Sequence, residues 1–590
     1  RDKDQEKQKI NKVKTFSVPL AFAEIKENIT INTNTSSKPS KEQIINQAIQ
    51  FHLQGNIKEA AKCYQSCINQ GFKDYRVFSN YGIILNDLGK LKDAELCYTK
   101  AIELNPDLAD AHFNLGNILK NLGKFEKAET STRKAIELNP NFAEAHLNLG
   151  TIFQDLGNLK DAELSTRKAI ELNPNFAEAH FNLGNIVKDL GKLQDAELSY
   201  RKAIKLNPDF ALAHFNLGNI FQDLGKLQDA ELSTRKAIEI QPDLAEAHSS
   251  LGALLTKIGK LKDGELSMNR ANQIKPNIIN NHLNLGMNYQ LQDQIEKSNN
   301  SYNNVLTFAE INSGEALQAK VHLAVNNLII GNFEEVKEDI FSFKELINKG
   351  ALERIDSKIN KRHIAARSNY LEHLYPLLKN TNNFKSKKII LHIGESHCLS
   401  FANQTFSISE QNKKIQPSII NGGKAWHFAN GHYNEFKASL QEKIKKYGNV
   451  EQVFISFGEI DCRRNEGILN YSLKYRKDIS IICKNTIKGY LDYMESNLLP
   501  FSKERYYFGV PAAHLNINIA DDLDIKRREL IKEYNFLLKK EVLSRGSFFI
   551  DVYNLTANER GDNNKLHMCD DCHLSPKSLP ILFKKYLVKP

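Results

Sequence analysis

The sequence predicts a multidomain chain in which an all-α superhelix of stacked helix pairs is followed by a three-layer α/β domain with a parallel sheet. Two observations point to the first part. Glycines recur at Gly55, Gly89, Gly123, Gly157, Gly191, Gly225 and Gly259, each 34 residues after the last. Pro106, Pro140, Pro174, Pro208, Pro242 and Pro276 keep the same step, as do Ala60, Ala94, Ala128, Ala162, Ala196 and Ala230. The second part rests on short apolar runs that alternate with longer helical stretches beyond residue 384. At 590 residues the chain also exceeds what one hydrophobic core usually spans.

Each repeated position has a physical reason. Glycine accepts the left-handed backbone that closes helix A, alanine lets helix B approach its neighbours, and proline ends one pair before the next begins. A single pair leaves an apolar face that the next pair covers, so the product is a superhelix with a concave surface. This pattern resembles the tetratricopeptide repeat. Seven regular units run from about residue 41 to 278. An eighth has Asp293 in the glycine position and Ser298 in the alanine position, and a ninth has Gly331 in its turn. Both read as degenerate terminal units of a solenoid spanning 41–347.

Within helix A the motif Ala-His-x-Asn-Leu-Gly places Asn114, Asn148, Asn182, Asn216 and Asn284 in equivalent positions, with Asn80 before them. Each amide can donate to and accept from a peptide backbone. The ladder resembles that in the repeat domain of O-linked N-acetylglucosaminyltransferase, which implies a polypeptide or protein ligand on the concave face; the opposing reading is that these amides cap or solvate helix A. The repeated histidines, His112, His146, His180, His214, His248 and His282, lie too far apart for shared metal coordination and read as packing residues.

Residues 1–40 read as a disordered N-terminal segment, 348–384 as a helical linker, and 385–590 as the α/β domain. Expected strands are Ile389–Ile393, Ser418–Asn421, Val453–Phe457, Tyr506–Val510 and Ser547–Asp551. The net charge of +10 is concentrated in 385–590, which holds 32 basic and 23 acidic side chains. The lysines are dispersed, with no arginine-rich stripe and interleaved aromatics, so no nucleic acid is expected. No apolar run approaches the ~20 residues needed to cross a bilayer. Eight scattered cysteines suit a reducing compartment, and a cytoplasmic location is expected.

Three short blocks in the α/β part carry chemistry: Gly394-Glu395-Ser396-His397, Gly458-Glu459-Ile460-Asp461 and Asp570-Asp571-Cys572-His573. Each falls at the carboxyl end of an expected strand, where functional loops of such sheets sit. Their order resembles the SGNH (GDSL-type) hydrolase family. The resemblance implies a flavodoxin-like sheet and a catalytic set of Ser396, His573 and Asp570, in which Ser396 attacks an ester carbonyl, His573 takes its proton and Asp570 fixes the imidazole tautomer. It also implies oxyanion donors from the Ser396 N–H, a glycine N–H, for which Gly423 is favoured over Gly422, and a side-chain amide in the block that ends here in Asp461.

That last position departs from the family, which has Asn where this chain has Asp461. An ionised carboxylate would repel an oxyanion, and losing one amide donor typically costs about 3 kcal/mol in the barrier. Asp461 would have to stay neutral through burial or pair with Arg463, leaving that cation to hold the substrate anion; otherwise the domain is catalytically weak. Cys569-Asp570-Asp571-Cys572-His573 also matches a c-type haem attachment motif, and Cys398, Cys462, Cys569 and Cys572 lie where they could converge on zinc. Neither group is expected, and no cofactor or metal is assigned. The reading is a repeat-scaffolded serine esterase or O-acyltransferase acting on an acyl ester, a glycan ester among the candidates. The alternative is a non-catalytic interaction adaptor.

Overall fold

The structure, a computed structural model, describes residues 40–378, 388–408, 411–463, 467–513, 522–560, 562–570 and 573–590. The expected disordered segment, apart from Ser40, and the expected boundary near residue 384 lie outside the described residues. The chain divides into two compact units between Gln241 and Pro242.

The first unit is built of six antiparallel helix pairs, from Lys41–Leu53 with Ile57–Asn69 to Ala211–Asp223 with Leu227–Ile240. Ala94, Ala128, Ala162, Ala196 and Ala230 are fully buried where helices cross. A larger side chain there would overpack the crossing, at about 1–3 kcal/mol. The two glycines of one repeat serve different ends. Gly157 turns the chain at φ 78° with open space around it, so only its backbone conformation calls for glycine. A side chain there would cost roughly 1–2 kcal/mol. Gly150 lies inside a helix, and a Cβ on it would collide with the Thr166 hydroxyl of the partner helix. The core is a chain of small clusters, such as Leu149, Phe153, Ala162 and Ile186, each joining adjacent pairs. In this unit the repeated histidines tie helix A to the preceding turn: His112, His146, His180 and His214 each place Nε2 3.0–3.1 Å from the carbonyl of the proline six residues earlier.

The second unit begins with three more pairs, Ala245–Lys257 with Leu261–Ile274, Ile279–Leu291 with Ile295–Phe308, and Gly314–Ile330 with Phe333–Asn348. The helix Lys358–Leu378 follows, and then a seven-stranded sheet. Its strands are β1 (Ile389–Gly394), β2 (Thr405–Ile408), β3 (Gln411–Ile419), β4 (Val450–Ser456), β5 (Ser502–Phe508), β6 (Phe548–Ile550) and β7 (Leu587–Val588), in the order β2-β3-β1-β4-β5-β6-β7.

The sheet is mixed, which corrects the expectation of a parallel one. The inner five strands are parallel, and in their own sequence they follow the order 2-1-3-4-5 of a flavodoxin-like doubly wound sheet. The edges are antiparallel: β2 runs against β3 and β7 against β6. These edge strands, of four and two residues, are too brief to read as strands in the sequence. Alternation along the inner strands fills both faces. Leu391 and Val453 enter the core under the helices Ile479–Leu498 and Asp522–Ser544, whereas Ile390 and Phe454 enter the opposite core with Leu555, Leu579 and Leu582.

A third core joins the last repeats to the sheet. Ile295, Leu317, Val321, Leu371, Leu374, Cys398, Leu399 and Ile419 form one buried cluster. Polar contacts frame it. Ser439 Oγ donates to the Leu291 carbonyl at 2.8 Å, and Asn403 Nδ2 donates to that of Leu328 at 2.6 Å. Asp293 holds φ 57° in the glycine position, with Lys446 Nζ 2.6 Å and Lys443 Nζ 3.5 Å away. Burial pushes the Asp293 carboxyl up, but the two lysines outweigh it and hold the group below its usual value. Burial lowers the fully enclosed Lys443 despite Asp293, and the half-exposed Lys446 makes the shorter contact. Asp293, a departure from the repeat pattern, therefore contacts the helix Glu435–Tyr447 of the α/β part, whereas Ser298 donates to the Gly286 carbonyl within its own repeat. Among the described residues no helix is long and apolar enough to cross a membrane.

Candidate active site

The first two blocks lie side by side because they follow neighbouring strands, β1 and β4, while Asp570 and His573 come from the segment after β6. Gly394 ends β1 and pairs with Ser456 of β4, and a Cβ on Gly394 would collide with Ser456. Gly458, two residues beyond β4, turns at φ 118° with the Tyr534 hydroxyl 2.7 Å from where a Cβ would stand. Ser396 opens a short 3-10 helix, Ser396–Phe401, directly after β1.

Ser396 Oγ is 2.7 Å from His573 Nε2. His573 Nδ1 is 2.7 Å from Asp570 Oδ2, and the His573 backbone N–H donates to Asp570 Oδ1 at 2.6 Å. The carboxylate therefore grips the histidine twice and directs its Nδ1 proton away from the serine, leaving Nε2 to accept. His573 and Asp570 are nearly buried, and Ser396 is partly exposed. Such a relay can activate a hydroxyl as a nucleophile.

The expected oxyanion residues behave differently. Asp461 is fully buried and acts as an acceptor: its Oδ2 takes the Ala425 N–H at 2.7 Å and its Oδ1 the Trp426 N–H at 3.1 Å. Desolvation pushes its carboxyl up to about 6, against the pull of those two amides and Lys424. Both oxygens accept backbone N–H groups, so an oxyanion role for Asp461 requires the proton that it holds only below about pH 6. The Gly423 N–H donates to the Ile420 carbonyl at 3.0 Å in a turn and would have to leave that bond to serve an oxyanion. Arg463 forks onto Glu459, with Nε 2.8 Å and NH2 2.7 Å from Oε2, so the pairing considered with Asp461 gives way to one with Glu459.

Two further groups were not anticipated. Glu395 is buried; desolvation and then Glu459 drive its carboxyl well above the usual range, whereas burial at Glu459 is outweighed chiefly by Arg463, which holds that carboxyl below it. Tyr370, on the helix Lys358–Leu378, stacks on His573 with ring centroids 3.7 Å apart, and its hydroxyl is 2.9 Å from Ser400 Oγ. Glu395 lies within the first block, whereas Tyr370 follows no pattern of spacing. Tyr370 lies 203 residues from His573, on a helix that read only as a linker.

Of the cysteines considered for zinc or haem, Cys398 and Cys462 are buried, Cys569 donates weakly from Sγ to the His573 carbonyl at 3.5 Å, and Cys572 lies outside the described residues. Among the described residues no group of three or more His, Cys, Asp or Glu side chains is placed to hold a metal.

The asparagines of the ladder are largely enclosed. Asn80, Asn114, Asn148 and Asn182 are at most 7 % exposed, and Asn216 and Asn284 are partly buried. Asn148 Nδ2 donates to Thr132 Oγ1 at 3.2 Å, and Asn216 Nδ2 to Asn185 Oδ1 at 2.9 Å. These two amides fasten helices to one another.

Family models agree with the repeat period. A TPR-repeat model matches residues 82–123 and 184–225, and tetratricopeptide-repeat models match 109–142, 143–176, 211–244 and 166–197. These residues are tetratricopeptide repeats, and the chain carries a repeat scaffold of the protein-interaction class. Among solved structures, YrrB, "a TPR protein with an unusual peptide-binding site", is 28 % identical over 32 % of this chain and 97 % of its own, with a TM-score of 0.27. MamA is 25 % identical over 28 % and 96 %, with a TM-score of 0.26. A tetratricopeptide repeat protein from Parabacteroides merdae is 20 % identical over 42 % and 98 %, with a TM-score of 0.36. No curated protein matches the chain.

Proposed function

We propose that the α/β part is an SGNH-type serine esterase or O-acyltransferase, and that the repeats bring it a protein partner. The observation that carries the catalytic reading is the Ser396–His573–Asp570 relay, with 2.7 Å at each side-chain contact. Ser396 Oγ attacks the carbonyl carbon of an acyl ester while His573 Nε2 takes its proton. The tetrahedral adduct collapses, the ester C–O bond breaks, and His573 returns the proton to the departing alcohol. Water or an acceptor hydroxyl then attacks the acyl-serine, again losing its proton to His573, and Ser396 is restored. Asp570 stabilises the imidazolium throughout. The Ser396 N–H remains the donor assigned to the oxyanion.

A fluorophosphonate serine probe tests this reading. Wild type should be labelled, and Ser396→Ala and His573→Ala should not. A second reading, a binding domain without catalysis, draws on Asp461 and Gly423, whose polar groups are spent within the fold. It expects no labelling of wild type at any pH.

For the partner, the exposed row on helix B suits the scaffold better than the asparagines. Leu96, Leu164, Leu198 and Leu232 recur at the repeat spacing or twice it and are 67–71 % exposed, which leaves them available to an apolar surface.

A further inference from the structure

Trp426 is the single tryptophan of the chain and is 42 % exposed. It stands between two adjoining depressions. The first, about 290 Å³, is lined by Lys424, Trp426, Asn470, Tyr471, Lys474 and Tyr475, with Asp461 at its wall. The second, about 540 Å³, shares Trp426, Tyr471 and Ile482 with it. Neither is lined by Ser396 or His573.

Three aromatic rings beside an open trough are an uncommon use of surface, because large apolar faces left in water are unfavourable unless something covers them. Tyr475 is 51 % exposed, with the Tyr471 ring packed at 4.6 Å and Lys474 Nζ 5.2 Å from its centroid, so the trough combines aromatic surface with cations. Flat C–H faces of pyranose rings stack well on such side chains, and an elongated trough suits successive linked rings better than a single planar base. The polar lining sets the charge. Lys424 and Lys474 supply two cations, and Asn470 an amide that can meet a hydroxyl. The carboxylate of the first depression, Asp461, is turned onto the Ala425 and Trp426 amides, and that of the second, Asp478, accepts the Ile481 N–H at 2.9 Å. Lys477 adds a third cation in the second depression, so three lysines outnumber the two carboxylates, each of which is held by backbone N–H groups.

We propose that this trough binds an acidic oligosaccharide, with sugar rings on Trp426 and Tyr471 and a carboxylate or phosphate substituent between Lys424 and Lys474. The site stands apart from the acyl-transfer reading and uses none of its steps. If both hold, the glycan is the acceptor or carrier of the acyl group.

The lone tryptophan makes the test direct. Titrating the full chain with trigalacturonate should change Trp426 emission saturably, and calorimetry should give the same Kd. Lys474→Ala, at a solvent-facing rim, should weaken binding at least tenfold, as should replacing the probe by neutral maltotriose. A phosphorylated trisaccharide tests the other source of negative charge and should compete with trigalacturonate. Ser396→Ala, which removes probe labelling, should bind with unchanged Kd, so failure of catalysis and failure of this site are separable. The proposal is overturned by the absence of both saturable emission and heat, by equal affinity for maltotriose, by an unchanged Kd in Lys474→Ala, or by tighter binding of AMP than of trigalacturonate.

Discussion

The phenol ring of Tyr370 lies over the imidazole of His573, with planes 17° apart. The helix that carries it precedes the sheet and forms no part of the three blocks, yet it covers one face of the proposed base. An aromatic face holds the ring in plane and attracts the imidazolium formed during acyl transfer. Tyr370→Leu should slow serine-probe labelling by about 3- to 10-fold, the worth of one aromatic pair. Tyr370→Phe, which keeps the ring and loses only the Ser400 contact, should label close to wild type. The labelling rate as a function of pH separates the two: loss of the stack should shift the midpoint, which a purely structural role would leave in place.

Asp570 grips His573 at both Nδ1 and the backbone N–H. Asp570→Asn can donate to Nδ1 and so favours the tautomer with its proton on Nε2, facing Ser396. Labelling should fall by at least about 100-fold with little change in melting temperature. Rate and thermal unfolding measured on the same preparation check this.

Asp461 makes stability depend on pH. Its carboxyl titrates near 6 in the fold, above the ordinary 3.8, because burial penalises the charge. Between about pH 4 and 6 the native state keeps a proton that the unfolded chain has released, so stability falls as pH rises through that window and is level above it. Across the whole window the loss amounts to roughly 3 kcal/mol as an upper bound. Asp461→Asn should lack this component, and urea unfolding of both proteins from pH 4 to 7 measures the difference.

Asp293 sets two terms against each other. Glycine, the residue at this place in the regular turns, would relax the positive φ by roughly 1–2 kcal/mol. Removing the carboxylate would leave Lys443 buried without its partner, at about 3–5 kcal/mol. The ion-pair term is larger, so Asp293→Gly should destabilise the second unit by roughly 1–4 kcal/mol in chemical unfolding. Adding Lys443→Met should recover most of the loss.

The helix pairs were legible because their determinants are local and repeat: Gly157 and Ala162 mean the same thing at every period. The inner strands were legible for a similar reason, since Ile389–Gly394 and Val450–Ser456 are apolar runs buried on both faces. β2 and β7 were not, because edge strands of two to four residues carry no periodic signal. In the site, Ser396, Asp570 and His573 stand out by spacing within short blocks. The fate of Gly423 and Asp461 depended on which amide reached which acceptor, and that is decided by turns no motif encodes. Asp293 was visible as an exception, but its meaning required Lys443 and Lys446, some 150 residues away.

The buried cluster of Ile295, Leu317, Leu371 and Leu399 bears on how the protein can be cut. Expression from Lys385 onward would shear through a hydrophobic interior and strip the cover from Cys398, Leu399 and Ile419. It would also discard the ring over His573. A fragment meant to fold alone should start near Pro242, so that the final repeats travel with the sheet as part of its body.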